Sequence, residues 1–217
     1  MPRKKIVPPA TELPLDPRGE RRAELMLAAA VEEFTAKGWR NARLSDIVAR
    51  SGGSMSTLYR AFGSKKGLAH ALIEREAQLL ASGLESLNDD SLPPEEALAE
   101  MAHAIIGIIF MPEALLINRI AIGEGREVPE IRDMFFAENV APAQDILRRY
   151  LQRQHDAGRL HVADPSQAAQ MLFMGLFGEA LLRWVSGIDP APTVARIQQN
   201  AAAVLHVFLQ GVRPRND

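Results

Sequence analysis

The chain has 217 residues, which allows one large helical domain or a small domain joined to a larger one. Hydrophobic residues at 47% and charged residues at 24% are typical of globular proteins and exclude wholesale disorder. The absence of cysteine excludes disulfides and thiolate metal sites, and the longest apolar run, residues 104–111, is too short to span a bilayer. With no signal peptide visible either, we expect a cytoplasmic protein that makes no membrane contact.

The net charge of −2 conceals a strong asymmetry along the chain. Residues 1–75 contain 14 basic and 8 acidic side chains, whereas residues 76–217 contain 11 basic and 19 acidic ones. A basic N-terminal third on an acidic body indicates an anionic partner for that third alone. Charge by itself leaves open the alternative that the asymmetry is an accident of surface composition.

The first segment, residues 1–17, is rich in proline and contains the basic run Arg3-Lys4-Lys5, which predicts a flexible basic tail. Such a run could follow the DNA backbone or enter a minor groove, as basic arms do in other proteins. The alternative is a solubilising tail that does not touch DNA.

Residues 18–84 show apolar positions at helical spacing, and we predict four helices there, at about 18–38, 44–51, 54–62 and 64–84. Gly52 suits the C-terminal cap of the second helix, because that position commonly requires a positive φ. Ser64 is the expected N-cap of the fourth helix.

Beyond a break at residues 88–94 the helical pattern continues, and no segment alternates in the manner of a strand. We predict further helices at about 94–110, 113–125, 129–157, 164–187 and 193–210. The expected fold is therefore all-α with about nine helices. Its predicted division is a tail at 1–17, a first helical domain at 18–84 and a larger helical domain at 85–217.

Two short helices joined by a glycine-containing turn, residues 44–62, form the pattern of a helix-turn-helix motif, whose second helix enters the DNA major groove. Leu58 and Phe62 are the apolar anchors on its inner face. Its outer face carries groups that can hydrogen-bond to phosphates and base edges, namely Ser54, Ser56, Thr57, Tyr59 and Arg60. Solvated surface hydroxyls are the alternative, but the charge asymmetry and the helix lengths favour DNA binding.

The stretch AAAVEEFTAKGWRNARLSDIVARSGGSMSTLYRAFGSKKGL, residues 28–68, resembles the TetR/AcrR family of transcriptional regulators. The resemblance implies that Thr57, Tyr59 and Lys65 hold DNA phosphates, Lys65 with the help of a helix N-terminus. It also implies groove-facing positions for Met55, Ser56 and Arg60, and a place near phosphate, at the start of the second helix, for Arg43 and Ser45.

The chain departs from the family pattern at three places. Gly53 stands where a branched apolar residue is usual, so we expect a turn that is less well anchored. Met55 replaces a polar or basic residue, which predicts base reading by apolar contact, for example with a thymine methyl group. Ala42 and Arg43 replace the usual Thr/Ser pair at the start of the second helix, and Asn41 is a possible substitute cap.

The resemblance implies that residues 18–84 form a DNA-binding domain. It also implies that residues 85–217 form a regulatory domain that dimerises and binds a small hydrophobic or amphipathic effector. The stretch EGREVPEIRDMFF with GRLHVADPSQAAQMLFMGLFGEALLRW is similar to one subgroup of the family. Adaptable apolar and interspersed polar residues make up the predicted pocket: Met101, His103, Ile105, Phe110, Asn118, Arg119, Met174, Phe177, Glu179 and Arg183. For each apolar residue plain core packing is the alternative, and Glu179 can pair with Arg183 at i, i+4.

The predicted helix at 164–187 carries Gly175, Gly178 and Ala180 among large apolar residues, and small residues permit close helix approach. With the last helix, which contains Leu205 and Phe208, it is the expected four-helix interface of a homodimer. The resemblance implies the same, and a two-fold operator requires a dimer.

Catalytic motifs are missing from the sequence: it contains no phosphate-binding glycine loop and no recognisable base partner for a serine nucleophile. Glu100 and His103 could supply two metal ligands, but no second such pair appears, so we predict no enzyme, cofactor or metal site. The predicted function is a ligand-responsive repressor that binds a palindromic double-stranded DNA operator as a homodimer. A helical ligand-binding or adaptor protein that has lost operator binding is the alternative, supported by Gly53 and Met55.

Overall fold

The computed structural model describes residues 17–88, 91–190 and 193–212, and within these residues it contains helices and no strand. The α-helices are α1 Pro17–Asn41, α2 Leu44–Ser51, α3 Met55–Phe62, α4 Lys65–Ser86, α5 Pro94–Ile109, α6 Pro112–Asn118, α7 Pro129–Phe135, α8 Ala141–Asp156, α9 Pro165–Val185 and α10 Val194–Val212. A π-helical turn, Arg119–Gly123, continues α6, and a second, Phe136–Val140, joins α7 to α8. These elements form nine helical stretches within the described residues, the first of them interrupted at Gly38, where φ is 74°, so the predicted all-α fold is confirmed.

Two compact units make up the described part of the chain, one extending to Leu72 and the other beginning at Ile73. The boundary between them therefore falls inside α4. The functional division predicted at residues 84 and 85 stays a prediction. Except for Pro17, the predicted basic tail lies outside the described residues.

The first unit is built from short helices that bury large side chains against one another. Phe34, Ile47 and Leu58, from α1, α2 and α3, are all fully buried. The Phe34 and Trp39 rings lie 5.2 Å apart between centroids. Helices of eight residues are unstable alone in water, so this shared core holds α2 and α3 in place.

The second unit has a larger core, formed mainly by α5, α8, α9 and α10. Helix α9 packs against both α8 and α10, and α10 also contacts α5. Tyr150 is the largest fully buried side chain, and Leu147 and Leu176 are also inaccessible to solvent. The two π-helical turns lie at one side of this core, where the regular backbone ladder is interrupted.

Candidate nucleic-acid interface and ligand cavity

The turn between α2 and α3 contains two glycines with different physical roles. Gly52 adopts the left-handed conformation, with φ at 66°, and its N–H donates to the Val48 carbonyl, so the predicted cap is confirmed. At Gly53 an added Cβ would overlap the terminal methyl group of Met26 from α1. The buried Met26 side chain thus occupies the space where the family usually has a branched residue. The expectation of a poorly anchored turn is wrong, because the anchor comes from α1.

Ser54 begins α3 as its N-cap. Its Oγ accepts a hydrogen bond from the Thr57 N–H at 3.2 Å and lies 2.9 Å from both the Ser56 Oγ and the Thr57 Oγ1. This network uses hydroxyls that sequence reasoning assigned to DNA, and Thr57 is only 8% exposed. The groups on the outer face of α3 are Ser56, Tyr59 and Arg60, all exposed, while Met55 is half-buried.

Helix α2 starts at Arg43 without a side-chain cap. Arg43 is exposed, and the exposed Ser45 donates to the Asp46 carboxylate at 3.3 Å. The suggestion that Asn41 substitutes as the cap is wrong, because its Nδ2 donates to the Lys37 carbonyl at 3.3 Å and so binds the end of α1 instead. In the first turn of α2 the Asp46 N–H donates to the Arg43 carbonyl at 3.1 Å, so this turn is closed by the backbone and not by a side chain.

Lys65, at the start of α4, is folded onto the end of α1. Its Nζ donates to the Ala42 carbonyl at 2.8 Å and lies 4.9 Å from the centre of the Trp39 ring. Ser64 precedes it and accepts from the Gly67 N–H at 3.1 Å, which confirms the predicted N-cap of α4. The Lys65 ammonium is thus held close to the α1–α2 connection, and its contact with phosphate stays a prediction.

Ion pairs hold the acidic side chains of α1 and α2 that lie next to the helix-turn-helix. Lys37 contacts the Asp46 carboxylate at 2.8 Å and the buried Glu33 at 2.5 Å, and Arg50 contacts Glu32 at 2.8 Å. The hydrogen bond from Lys37 lowers the pKa of Asp46, and the same bond raises the pKa of Lys37, which Glu33 raises further. Three carboxylates thus share two bases, so these ion pairs neutralise most of the acidic charge beside the outer faces of α2 and α3.

A cavity of about 90 Å³ lies in the second unit, with contributions from α4, α5, α6, α7, α9 and both π-helical turns. Its wall is mainly apolar and aromatic, and consists of Glu76, Ile109, Asn118, Ile122, Phe135, Phe136, Asn139, Val140, Phe173, Met174, Phe177 and Leu181. Ile122, Phe136 and Met174 are 42%, 50% and 50% exposed and so mark its open side. The two π-helical turns supply Ile122, Phe136, Asn139 and Val140, in keeping with the frequent use of such turns at functional sites.

Two polar side chains in the cavity wall are buried and incompletely bonded. Glu76 is 6% exposed and Asn139 is 4% exposed, and neither the Glu76 Oε2 nor the Asn139 Nδ2 has a hydrogen-bond partner. Burial raises the pKa of the Glu76 carboxyl to about 7, although the nearby Asn139 amide acts in the opposite direction. A carboxyl at the edge of an apolar cavity is a common mark of a functional site.

The ten residues predicted for the ligand pocket fall into several environments. Three of them, Asn118, Met174 and Phe177, line the cavity. Met101 and Ile105 belong to the core and Phe110 packs against it, while Arg119 is half-buried in the first π-helical turn. His103 is exposed on α5. These five residues thus do not line the cavity; on α5 the inner positions are filled by core packing.

Glu179 and Arg183 line a different depression, of about 260 Å³, between α9, α10 and the loop that joins them. The prediction that these two residues pair is wrong, because Arg183 forms its ion pair with Asp189 at 2.7 Å. Glu179 contributes only a coulombic attraction to Arg183. This pairing raises the pKa of Arg183 and lowers that of Asp189. The sequence could not reveal it, since Asp189 lies beyond the end of α9.

Sequence reasoning missed Glu76 and Asn139. A signal for Glu76 was present, because Leu72, Glu76 and Leu80 are spaced by four residues and share one face of α4. A single carboxylate on an otherwise apolar stripe is a reason to expect a buried ionisable group. No comparable signal marks Asn139, whose inward position depends on the π-helical turn.

Exposed apolar side chains line one face of α9. Met171 and Leu182 are 63% and 61% exposed, and Gly175 and Gly178 lie between them at helical spacing. On α10 Val207 is also largely exposed. A patch of this kind is typical of a surface that another protein covers.

The described residues hold no cluster of three or more His, Asp or Glu side chains that could bind a metal ion. None of their helices is by itself long and apolar enough to cross a membrane, and the one pair that reaches this length together, Pro94–Ile109 with Pro112–Gly123, is bent by 77°.

Comparison with known families assigns both units. A family model described as bacterial regulatory proteins of the tetR family matches residues 26–72, which include α2 and α3. A second, described as the C-terminal domain of AefR-like transcriptional repressors, matches residues 96–211, more than half of the chain.

Individual relatives agree with these family matches. The HTH-type transcriptional activator FasR of Mycolicibacterium smegmatis is 40% identical over 68 residues, which are 31% of this chain and 31% of that protein. A TetR-family regulator from Mesorhizobium loti has the same fold, with a TM-score of 0.77 at 20% identity over 91% of this chain and all of that one. The flavonoid-responsive regulator FrrA is 26% identical, with a TM-score of 0.66 over 90% of this chain and 99% of that one.

Proposed function

Since this chain belongs to the TetR family of DNA-binding transcriptional regulators, we propose that it is a repressor that binds a palindromic operator as a homodimer and releases it when a small effector binds the second unit. The observation that carries the proposal is the capped helix α3, which exposes Ser56, Tyr59 and Arg60 on one face next to a turn fixed by Gly52 and Met26. The chain aligns with less than a third of FasR, which is an activator, so the direction of regulation is part of the proposal.

The proposed contacts with DNA divide by role. Arg60 and Met55 read base edges in the major groove, with Ser56 beside them. Tyr59, Arg43 and Ser45 contact phosphates from the exposed surfaces of α3 and α2. Ser54 and Thr57 form the N-terminal cap of α3. Thr57 contacts phosphate only through the small part of its side chain that remains exposed. Lys65 contacts phosphate from its place over Trp39.

The proposed dimer surface is the exposed apolar face of α9 together with α10. Exposed Met171, Leu182 and Val207 would be covered by the same residues of a second copy, and Gly178 would let the helices approach closely. A dimer places two α3 helices in successive major grooves, about 34–36 Å apart.

The proposed effector is a small hydrophobic or amphipathic molecule that enters the cavity lined by Glu76 and Asn139. FrrA is described as flavonoid-responsive, and we extend to this chain only the response to a small molecule. Helix α4 connects the two functions, because Lys65 at its start and Glu76 in the cavity wall lie about three turns apart on one helix. An effector that displaces α4 changes the spacing that the operator requires.

The adaptor alternative loses its main support, because the space at Gly53 is filled by Met26. We propose no catalytic role for the chain, since its family consists of regulators. Because the proposed partner is chromosomal DNA, the proposed site of action is the cytoplasm.

Fluorescence anisotropy with DNA from upstream of the chain's own gene, at several salt concentrations, tests this function. Tight and salt-sensitive binding that exceeds binding to scrambled DNA is expected. Tyr59→Phe removes one hydroxyl that faces solvent, and it is expected to weaken binding about tenfold on every DNA sequence, because a phosphate contact carries no sequence information.

Met55→Ala serves as the matched variant on the same helix. It is expected to change the preference among bases while leaving binding to scrambled DNA unaltered. Loss of sequence preference in Tyr59→Phe would contradict the phosphate contact assigned to Tyr59. An unchanged preference in Met55→Ala would contradict the base contact assigned to Met55. The absence of selective binding to any fragment in a genome-wide selection would contradict operator binding altogether.

A further inference from the structure

The cavity of the second unit combines an aromatic wall with a localised polar site. The Phe173 and Phe177 rings meet edge to face at 5.0 Å, and the Phe135 and Phe136 rings do so at 5.5 Å. Of the described residues that line the cavity, only Glu76 is titratable. The wall therefore suits a flat apolar ligand, and its polar contacts come from the few groups beside Glu76.

The polar site has one acceptor and one donor to satisfy. The Glu76 Oε2 and the Asn139 Nδ2 are both buried without a partner, although the two side chains are close enough for the amide to lower the pKa of the carboxyl. The third polar residue, Asn118, already donates from its Nδ2 to the Ala114 carbonyl at 2.8 Å. Leaving such groups unpaired in an apolar setting is costly, so a ligand that pairs both is favoured.

We propose that the effector of this cavity is a small uncharged aromatic molecule with a hydroxyl group, a phenol. Its hydroxyl donates to the Glu76 Oε2 and accepts from the Asn139 Nδ2, while its ring packs among the phenylalanines. The inference rests on the proposed function only for the consequence of binding; the chemistry of the site stands on its own residues.

Other polar groups fit this pair less well. An ether or a carboxylate accepts but does not donate, so the Glu76 Oε2 stays unpaired, and a carboxylate is also repelled by ionised Glu76. An ammonium group donates but does not accept, which leaves the Asn139 Nδ2 unpaired. A hydroxyl is the simplest group that does both at one atom.

The size of the cavity limits the ligand to about one ring in the structure described here. Its volume of about 90 Å³ is smaller than the roughly 150 Å³ of an apolar cavity that holds benzene. The exposed side chains of Phe136 and Met174 lie at the open side, where their displacement enlarges the space. The para position of the ring is therefore expected to accept a short alkyl group.

Isothermal titration calorimetry at pH 8, where the Glu76 carboxylate is ionised and only accepts, tests the proposal with the full-length protein and two matched probes, 4-ethylphenol and 4-ethylanisole. Both probes have the same ring and ethyl group, but the anisole oxygen cannot donate. The phenol is expected to bind at least tenfold more tightly. In Glu76→Leu the difference is expected to shrink to within about twofold, because the acceptor is gone.

Glu74→Leu, the same substitution on the exposed side of α4, is the control and should retain the tenfold preference. Asn139→Leu provides a second variant, and it should weaken both probes to a similar extent, because both oxygens accept from the Asn139 Nδ2, while the preference for the phenol remains. Equal affinities for the two probes in the unmodified protein would overturn the proposal, because they would show that water satisfies Glu76 and Asn139. A preference for the phenol that survives Glu76→Leu would also overturn it. Tighter binding of 4-ethylbenzylamine than of 4-ethylphenol would overturn it in favour of a cationic ligand.

Operator binding is measured separately by anisotropy, with and without 4-ethylphenol. Calorimetric binding of the phenol without any selective binding to DNA would contradict the proposed function and leave the chemistry of the cavity intact. Selective DNA binding together with equal affinities for the two probes would contradict the phenol site and leave the proposed operator binding intact.

Discussion

The two compact units treat a buried glutamate in opposite ways. In the first unit Glu33 is 1% exposed and lies 2.5 Å from the Lys37 ammonium, with Arg50 3.8 Å away. In the second unit Glu76 is 6% exposed, and none of the described residues that line its cavity is a base. The same residue type thus lies beside basic side chains in one unit and without a charged partner in the other. The buried glutamate of the first unit is committed to an ion pair, whereas that of the cavity is available for a ligand.

The largest expected effect is the dependence of folding stability on pH that buried Glu76 produces. The pKa of Glu76 is about 7 in the folded chain against an ordinary value of 4.5, so the folded state holds an extra proton between these values. Stability is therefore lost as pH rises from about 4.5 through 7. Glu76→Gln stays neutral and is expected to exceed the unmodified protein by about 3 kcal/mol at pH 8, with little difference at pH 4.

Urea unfolding of both proteins across this pH range measures the effect. A constant difference between pH 4 and pH 8 would show that Glu76 does not titrate in this window. Since the other described residues in the cavity wall are uncharged, a pH-dependent difference is assigned to Glu76 itself.

Glu33→Gln is expected to have the opposite sign. It removes a charged partner of Lys37 within the core of the first unit, and we expect a loss of about 2 kcal/mol in the free energy of unfolding near neutral pH. The same urea titration at pH 7 provides the measurement. Stabilisation by Glu33→Gln would show that the two buried glutamates are alike, and the contrast between the units would fail.

The smallest expected effect is the loss of the Ser54 N-cap of α3 in the first unit. Ser54→Ala removes the acceptor for the Thr57 N–H and should cost about 1 kcal/mol of stability. Because α3 has only eight residues, fraying of its first turn should also weaken operator binding. Ser56→Ala is the comparison variant for stability, because it removes a neighbouring hydroxyl but leaves the Ser54 Oγ as the acceptor for the Thr57 N–H. Equal unfolding free energies for the two variants would show that the cap contributes nothing.

The local features of the fold were predictable because short-range rules govern them. The glycine cap at Gly52 and the serine cap at Ser64 follow from backbone conformation and one hydrogen bond each. Apolar periodicity gave the nine helical stretches, since the inner face of a helix repeats within a few residues. In the candidate DNA interface the exposed Ser56, Tyr59 and Arg60 were found for the same reason.

The predictions that the structure contradicts share a different cause. The partner of Arg183 is Asp189 and the filler at Gly53 is Met26, and each contact joins segments that the sequence pattern does not connect. In the predicted ligand pocket Met101 and Ile105 proved to be core residues, because the hydropathy of a side chain does not tell a cavity wall from a packed interior.

The amino-acid sequence by itself determined the helices, their caps, the basic first third and the family to which the chain belongs. Tertiary structure alone decided that Glu76 and Asn139 share one apolar cavity, since these residues lie on α4 and on a π-helical turn more than sixty positions away. Periodicity and capping act over a few residues of chain. Burial without a partner depends on everything that packs around a group, and only the folded molecule assembles those neighbours.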